Sequence, residues 1–399
     1  MPSRHDPYNA FLDHSEQPVT SAGNGPLAGL SLAVKDIFDI AGQRTGCGNP
    51  QKLAEARPAE ATAPALQALF DAGARFAGRT QTEELAFSLT GQNAHYPFPI
   101  NPVAPDRVTG GSSSGSVAAA AGGLADIATG SDTGGSIRAP ASFCGVIGLR
   151  TTHRAISLEG AMPLAPSLDT FGWFAKDIGT YEKVGEVLLG AARGRLKAGN
   201  LRVLRLPVLE AFLLGDAEAQ EYRRMEAAVG AIVGAPANVA LTHEIDALYW
   251  CFRNIQAHEA WASHGAWIGA ADRGLGPGVK ERFAFGSTVS AETARTETAR
   301  RQAFLEELTA RLGDDGVFVM PTVPSAAPFK DASFDDIQTY REAALRLLCL
   351  SGLAGLPQIT LPLGTVHGAP FGISLLGPAG SDMDLIHLGR TILEAEGKA

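Results

Sequence analysis

Three places in this sequence hold side chains that could do chemistry together. "TGGSSSGS" (Thr109–Ser116) and "TGGS" (Thr133–Ser136) concentrate hydroxyls among glycines, and Lys35 stands in the strand-like run "LSLAVKDIF". A serine hydroxyl becomes a nucleophile only when a base removes its proton. Lysine has a pKa of about 10.4 in water, and burial lowers it by up to several units. A desolvated Lys35 could therefore do for a serine what histidine does in the Ser-His triad. Other readings compete. Gly-Ser clusters are commonly tight turns at strand–helix junctions, and a strand-end lysine commonly pairs with a carboxylate, here Asp36 or Asp39. A phosphate-cradling loop needs a Gly-Lys-Ser/Thr ending, or GxGxxG after a strand, and neither segment has one. Gly111–Gly115 satisfies G-x-S-x-G, but a nucleophile elbow needs a strand immediately before it, and "INPVAPDRVTGG" carries two prolines and reads as loop. S-x-x-K occurs at none of the eight lysines.

The elements that must position these residues alternate between strand and helix patterns, which predicts an α/β protein. Strand-like runs lie at Gly29–Ile40 (running into a loop), Asn200–Pro207, Gly316–Pro321, Pro357–Gly364 and Pro370–Gly377. Amphipathic periodicity predicts helices over Thr62–Ala74, Ser116–Leu124, Thr180–Ala192, Ala217–Val233, Ser290–Leu312, Phe334–Ser351 and Asp384–Glu396. No repeat and no Ser/Pro/Gly linker divides the chain, so one domain over 1–399 is expected, with 194–287 as a variable elaboration.

Composition narrows the partners. Hydrophobic residues at 45% and charged residues at 19% describe a core-rich globular chain. A net charge of −9 gives no electrostatic footprint for nucleic acid or an anionic membrane. The N-terminus lacks the apolar core of a signal peptide, and no apolar run is long enough to span a bilayer. Cys47, Cys144, Cys251 and Cys349 form no CxxC pair and read as reduced, buried thiols of a cytoplasmic protein.

Taken together, "GGSSSGS", "GSDTGGSIRAPASFCGVIGLRTT" and the upstream "VKD" closely resemble the amidase-signature hydrolases. The likeness runs through "TGCGNP", "NPVAPDRV", "VMPTVPSAAP" and "GLPQITLPLGTVHGAPFGISLLGP". Within the family, "AVKDIFDIAG", "GQNAHY" and "SLDTFGWFAKD" are most similar to the indole-3-acetamide hydrolase, amidase 1-like, subgroup. The resemblance implies a single α/β/α domain with a mixed central sheet of about eleven strands and helices on both faces. It implies a Ser-cisSer-Lys triad of Lys35, Ser112 (after a cis peptide from Gly111) and the nucleophile Ser136. The family places its two serines 24 residues apart, as they are here. Backbone N–H groups of Thr133, Gly134, Gly135 and Ser136 would face the oxygen of a tetrahedral intermediate. Ser113, Asp132 and Arg138 would support the triad, with Arg138 pairing to Asp132 and steadying the turn. Gly110, Gly111, Phe143 and Trp173 would border the substrate by their place in the family pattern.

The activity implied is hydrolysis of a small carboxamide, an aryl- or indole-acetamide favoured, to acid and ammonia, with no cofactor and no metal. A homodimer is compatible with this. Two rivals are the glutaminase subunit of a glutamine-dependent tRNA amidotransferase and a non-enzymatic binding protein on the same fold; an intact Ser136 argues against the latter. "YWCFRNIQAHEAWASHGAW" (Tyr249–Trp267) holds three of the four tryptophans and offers either an aromatic acyl pocket or a core-facing stripe. His258 and His264 have no carboxylate at ligand spacing, which argues against a metal site.

Overall fold

The apolar runs read as strands do form strands, and they form one sheet. The computed structural model describes residues 5–13, 18–192, 194, 196 and 201–398. Its strands are β1 (Ser31–Lys35), β2 (Arg75–Thr80), β3 (Ile127–Asp132), β4 (Ile147–Arg150), β5 (Thr170–Ala175), β6 (Arg202–Arg205), β7 (Ala237–Asn238), β8 (Gly316–Pro321), β9 (Gln358–Val366) and β10 (Ala369–Leu376). The order is β2-β1-β3-β5-β4-β9-β10-β8-β6-β7, a mixed sheet of ten strands among the described residues where about eleven were expected. β1 runs parallel to β2 and β3, while β5, β4, β9 and β10 alternate direction through the centre. Asn200, the start expected for β6, lies outside the described residues.

The helices are α1 (Pro50–Glu55), α2 (Pro64–Asp71), α3 (Ser114–Ala121), α4 (Arg138–Cys144), α5 (Ile178–Leu189), α6 (Asp216–Val233), α7 (Ile245–Ala270), α8 (Val279–Thr288), α9 (Ala291–Leu312), α10 (Phe334–Ala354) and α11 (Asp382–Ala395). They cover both faces, as the strand period of two requires. On β9, Ile359 and Leu361 meet Gly389 of α11, while Thr360 between them faces the opposite side, where Ser142 of α4 packs. Two of these helices carry site residues. α10 starts at the N-cap Ser333, whose hydroxyl accepts from the Asp336 amide, and stops at Gly355 in the left-handed region, φ 64°. α7 presents Phe252 and Gln256, one turn apart, to the buried side.

Candidate active site

β1 delivers Lys35 into the centre of the molecule. Its side chain is fully buried, and Nζ donates to three hydroxyls: Ser112 at 2.8 Å, Ser113 at 3.0 Å and Ser131 at 2.9 Å. Burial pushes its pKa down from 10.5 to about 7, against the pull of Asp132, Asp169 and Glu83. A protonated Nζ has three hydrogens for three hydroxyls. A neutral amine has two hydrogens and a lone pair, so one hydroxyl must turn and donate to it. The three contacts suit an ammonium as they stand, and the lowered pKa brings the neutral amine within reach near neutral pH.

The Gly110–Ser113 segment is held beside this lysine from both sides. The Gly111 amide donates to Leu89 O at 2.9 Å, and Ser112 O accepts from the Glu83 amide at 3.0 Å and from Thr82 Oγ1 at 3.1 Å. The Gly111–Ser112 peptide is cis. A Cβ on Gly111 would lie 2.8 Å from Glu83 Cγ, and one on Gly130 of β3 would lie 2.7 Å from Ser113 Oγ. Glycine at 130 is what lets the Ser113 hydroxyl reach the strand.

β3 ends at Asp132, and the chain then turns through Thr133–Ser136 into α4. Asp132 is the clasp of that turn. Its Oδ1 accepts from the Gly135 amide at 3.0 Å and its Oδ2 from the Ile137 amide at 3.2 Å. Arg138 grips both oxygens, at 3.0 and 2.8 Å, so the expected pair is present. Arg150, which the sequence did not single out, adds a third contact at 3.0 Å. Burial opposes ionisation of Asp132, but Arg138 and then Arg150 outweigh it and hold the carboxyl below its usual range. Arg138 also donates to Leu348 O, Ser351 Oγ and Gln358 Oε1 at 2.7–2.8 Å, tying the turn to α10 and β9.

The four amides expected to face a substrate oxygen are not equivalent. That of Gly135 is donated to Asp132, whereas those of Thr133, Gly134 and Ser136 form no hydrogen bond among the described residues. The glycines here are dictated by neighbouring protein: a Cβ on Gly134 would lie 2.8 Å from Phe252, and Gly135, at φ 121°, would meet Leu348 at 2.5 Å. Thr133 Oγ1 donates to Asp169 at 2.6 Å.

Ser136 is 5% exposed and borders a narrow pocket with Gly134, Gln256, Arg341 and Leu345. Its hydroxyl forms no hydrogen bond among the described residues, so the Lys35–Ser112 contact is made and a Ser112–Ser136 contact is not. Through Ala86, Thr133 and Leu164 the narrow pocket adjoins a cavity of about 560 Å³ walled by Ile37, Ile156, Leu158, Met162 and Leu164.

Other expected lining residues lie elsewhere. Trp173 is fully buried, stacked on Tyr181 with centroids 4.8 Å apart. Phe143 packs edge-on against Tyr340 and covers Gly110 from the core side. Both belong to the core, where bulk in a buried strand or helix fills space between layers. Trp250 is 48% exposed and Trp267 donates to Glu55. None of the tryptophans lines these two cavities; α7 contributes Gln256 to the narrow pocket, with Phe252 packed behind Gly134. His264 Nε2 donates to Pro163 O, 2.7 Å away, and burial lowers its pKa to about 4. Among the described residues no group of three His, Cys, Asp or Glu could hold a metal. All four cysteines are free and buried. No described helix is long and apolar enough to cross a membrane.

Comparison with known proteins gives a consistent result. The profile of the Amidase family matches residues 10–205 and 235–386. Amidase 1 of Arabidopsis thaliana is 36% identical, over 96% of this chain and 97% of its own. Amidase 1 of Oryza sativa subsp. japonica is 34% identical, over 96% and 94%. A solved structure described as an amidase superposes with a TM-score of 0.83 at 30% identity, covering 93% of this chain and 85% of the other.

Proposed function

The chain belongs to the amidase signature family and is an amide-hydrolysing enzyme, and on that premise we propose that it cleaves a small carboxamide, arylacetamides favoured, through an acyl-enzyme on Ser136. One observation carries this reading: a fully buried lysine with a pKa near 7 gathers the Ser112 hydroxyl at 2.8 Å. Neutral Lys35 takes the proton of Ser112, Ser112 takes that of Ser136, and Ser136 Oγ bonds to the amide carbon. The amides of Gly134 and Ser136, with Thr133 beside them, receive the oxygen as it gains charge. One such donor can contribute about 3–4 kcal/mol in the transition state. The C–N bond then breaks, and the proton held by Lys35 returns through Ser112 to the departing nitrogen. Water attacks the ester by the same relay, which frees the acid and restores Ser136.

The acyl preference is supported by the cavity of about 560 Å³, where Ile37, Ile156, Leu158, Met162 and Leu164 give an apolar side beside the polar His153, Arg154 and Asp169. Burying an aromatic ring there contributes about 2–3 kcal/mol, or one to two decades in rate. In this reading 194–287 is the substrate-side elaboration, since Phe252 and Gln256 come from it. The enzyme acts in the cytosol, alone or as a homodimer. The test is ammonia release by the purified chain across primary amides plus glutamine, before and after exhaustive chelation. Phenylacetamide and indole-3-acetamide should exceed acetamide and glutamine in kcat/KM; equal turnover of short aliphatic amides would remove the aromatic pocket from the account.

A further inference from the structure

Arg341 is a buried cation that no described residue meets with a hydrogen bond or an ion pair. It stands on α10, one turn before Leu345, and is 6% exposed. Its Nε is shielded from solvent and has no acceptor, and no described residue forms a hydrogen bond or ion pair with its guanidinium. A buried cation is ordinarily paired, because desolvation strongly disfavours the charge. Here the neighbouring charges make matters worse. Burial, then Arg282 and Arg253, push its pKa down to about 9, against a weaker pull upward from Tyr249 and the adjacent Glu342. Arg282 gives its Nε to Phe87 O at 2.6 Å, and Arg253 donates to the Tyr249 hydroxyl at 2.9 Å; neither has a carboxylate partner within ion-pair distance. Glu342, the next residue on α10, forms no ion pair with Arg341, and the two carboxylates that line the same outer cavity, Glu83 and Glu84, are engaged elsewhere. Glu83 accepts from the Gly91 and Gln92 amides, and Glu84 accepts from Asn49 and Gly276 and bonds to His95.

The position of Arg341 says what would answer it. Three cavities adjoin in a row. The one of about 560 Å³, apolar along Ile156, Leu158 and Met162 and charged at Arg154 and Asp169, shares Ala86, Thr133 and Leu164 with the narrow pocket of Ser136. That pocket in turn shares Ser88 and Arg341 with an outer cavity of about 330 Å³, into which Arg282 also faces. A substrate spanning the row puts its apolar half in the first cavity, its scissile amide at Ser136 and its other half against the arginines.

We propose that Arg341, with Arg282 beside it, receives a carboxylate on the leaving-group half of the substrate, so that the enzyme accepts N-acyl amino acids as well as primary amides. This rests on the acyl-enzyme reading above. The chemistry balances without a further reagent: the C–N bond breaks, the amino acid leaves with the proton returned from Lys35, and water supplies the hydroxyl of the acid and the hydrogen of Ser136. A guanidinium suits the task, since its planar fork meets a carboxylate with two parallel hydrogen bonds.

The experiment compares N-phenylacetylglycine with its uncharged counterpart N-ethylphenylacetamide on the full-length wild type, Arg341→Met and Arg341→Lys. The ratio of their kcat/KM values should favour the carboxylate and should fall about a hundredfold in Arg341→Met, with partial recovery in Arg341→Lys. No preference in the wild type, or an equal loss on both substrates in Arg341→Met, would overturn the proposal. Binding of N-phenylacetylglycine to Ser136→Ala protein, with and without Arg341→Met, reads the same site without turnover. Arginine-dependent binding in an enzyme that hydrolyses no amide sustains the anion site and sinks the acyl-enzyme reading. Arginine-independent binding in an active enzyme does the reverse.

Discussion

Ser131 Oγ lies 2.9 Å from Lys35 Nζ, across the parallel junction of β3 with β1. The third hydroxyl on the lysine thus comes from a strand, not from the serine loop, and it accepts a hydrogen that only a protonated or suitably turned amine supplies. Ser131→Ala should weaken the ammonium more than the amine, since hydrogen bonds to charged groups are the stronger kind. The acid limb of kcat/KM should therefore move to lower pH, by about one unit. A limb that stays in place while the rate falls would show that Ser131 only fills space.

The relay orders its own mutants. Ser136→Ala should abolish turnover, and Lys35→Ala and Ser112→Ala should each cost about four decades in kcat. Ser113→Ala should fall between these and wild type, because its hydroxyl touches Nζ at 3.0 Å. Ser114→Ala should be mild. Neither His95, bonded to Glu84, nor His153, bonded to Pro166 O, should be needed for turnover. Near-normal activity in Ser136→Ala would refute the assignment.

Lys35 also links stability to pH. Its folded pKa, about 7, lies below the unfolded value of 10.5, so the folded state holds the proton less tightly. The deficit is complete below about pH 7 and disappears as pH rises toward the unfolded value. Lys35→Met should be more stable than wild type at about pH 6, with the gap narrowing by about pH 10, as chemical denaturation will measure. Activity should rise with pH through about 7 as the neutral amine forms. A pH-independent gap would mean that burial does not displace this pKa.

Asp132→Asn should be severely destabilising. It leaves Arg138 and Arg150 buried without their shared countercharge, a loss on the order of 3–5 kcal/mol, and slackens the hydrogen bonds that shape the nucleophile turn. A melting temperature within a degree or two of wild type would show that the two arginines find other partners.

The parts of the site visible in the sequence were those that stand out against their local composition. Ser112, Ser113 and Ser136 stand in glycine-rich runs, and Lys35 was conspicuous as a lysine inside an apolar strand. Ser131, Arg150, Gln256 and Arg341 come from four separate elements and meet only through the sheet order and the packing of α7 and α10. No local pattern announces such a meeting. β3 escaped notice for a related reason: "IATGSD" has small and polar residues where a buried strand usually has branched ones, because Gly130 and Ser131 make room for the serines and the lysine. The tryptophans misled in the opposite sense. Trp173, expected at the substrate by its place in the family pattern, fills the core, and Trp250, in a stretch open to either an acyl pocket or a core stripe, is half exposed.

α10 meets the nucleophile turn at two heights. Its later turns, at Leu348 and Ser351, anchor Arg138, while its earlier ones, at Arg341 and Leu345, border the narrow pocket of Ser136. The helix is stiff and capped at both ends, so the two jobs share one rigid rod without sharing residues. That division makes the enzyme evolvable. In the proposed reading, positions 341 and 345 can change to admit a different leaving group while Leu348 and Ser351, which hold Arg138, stay as they are, so that specificity can shift without loss of the chemistry.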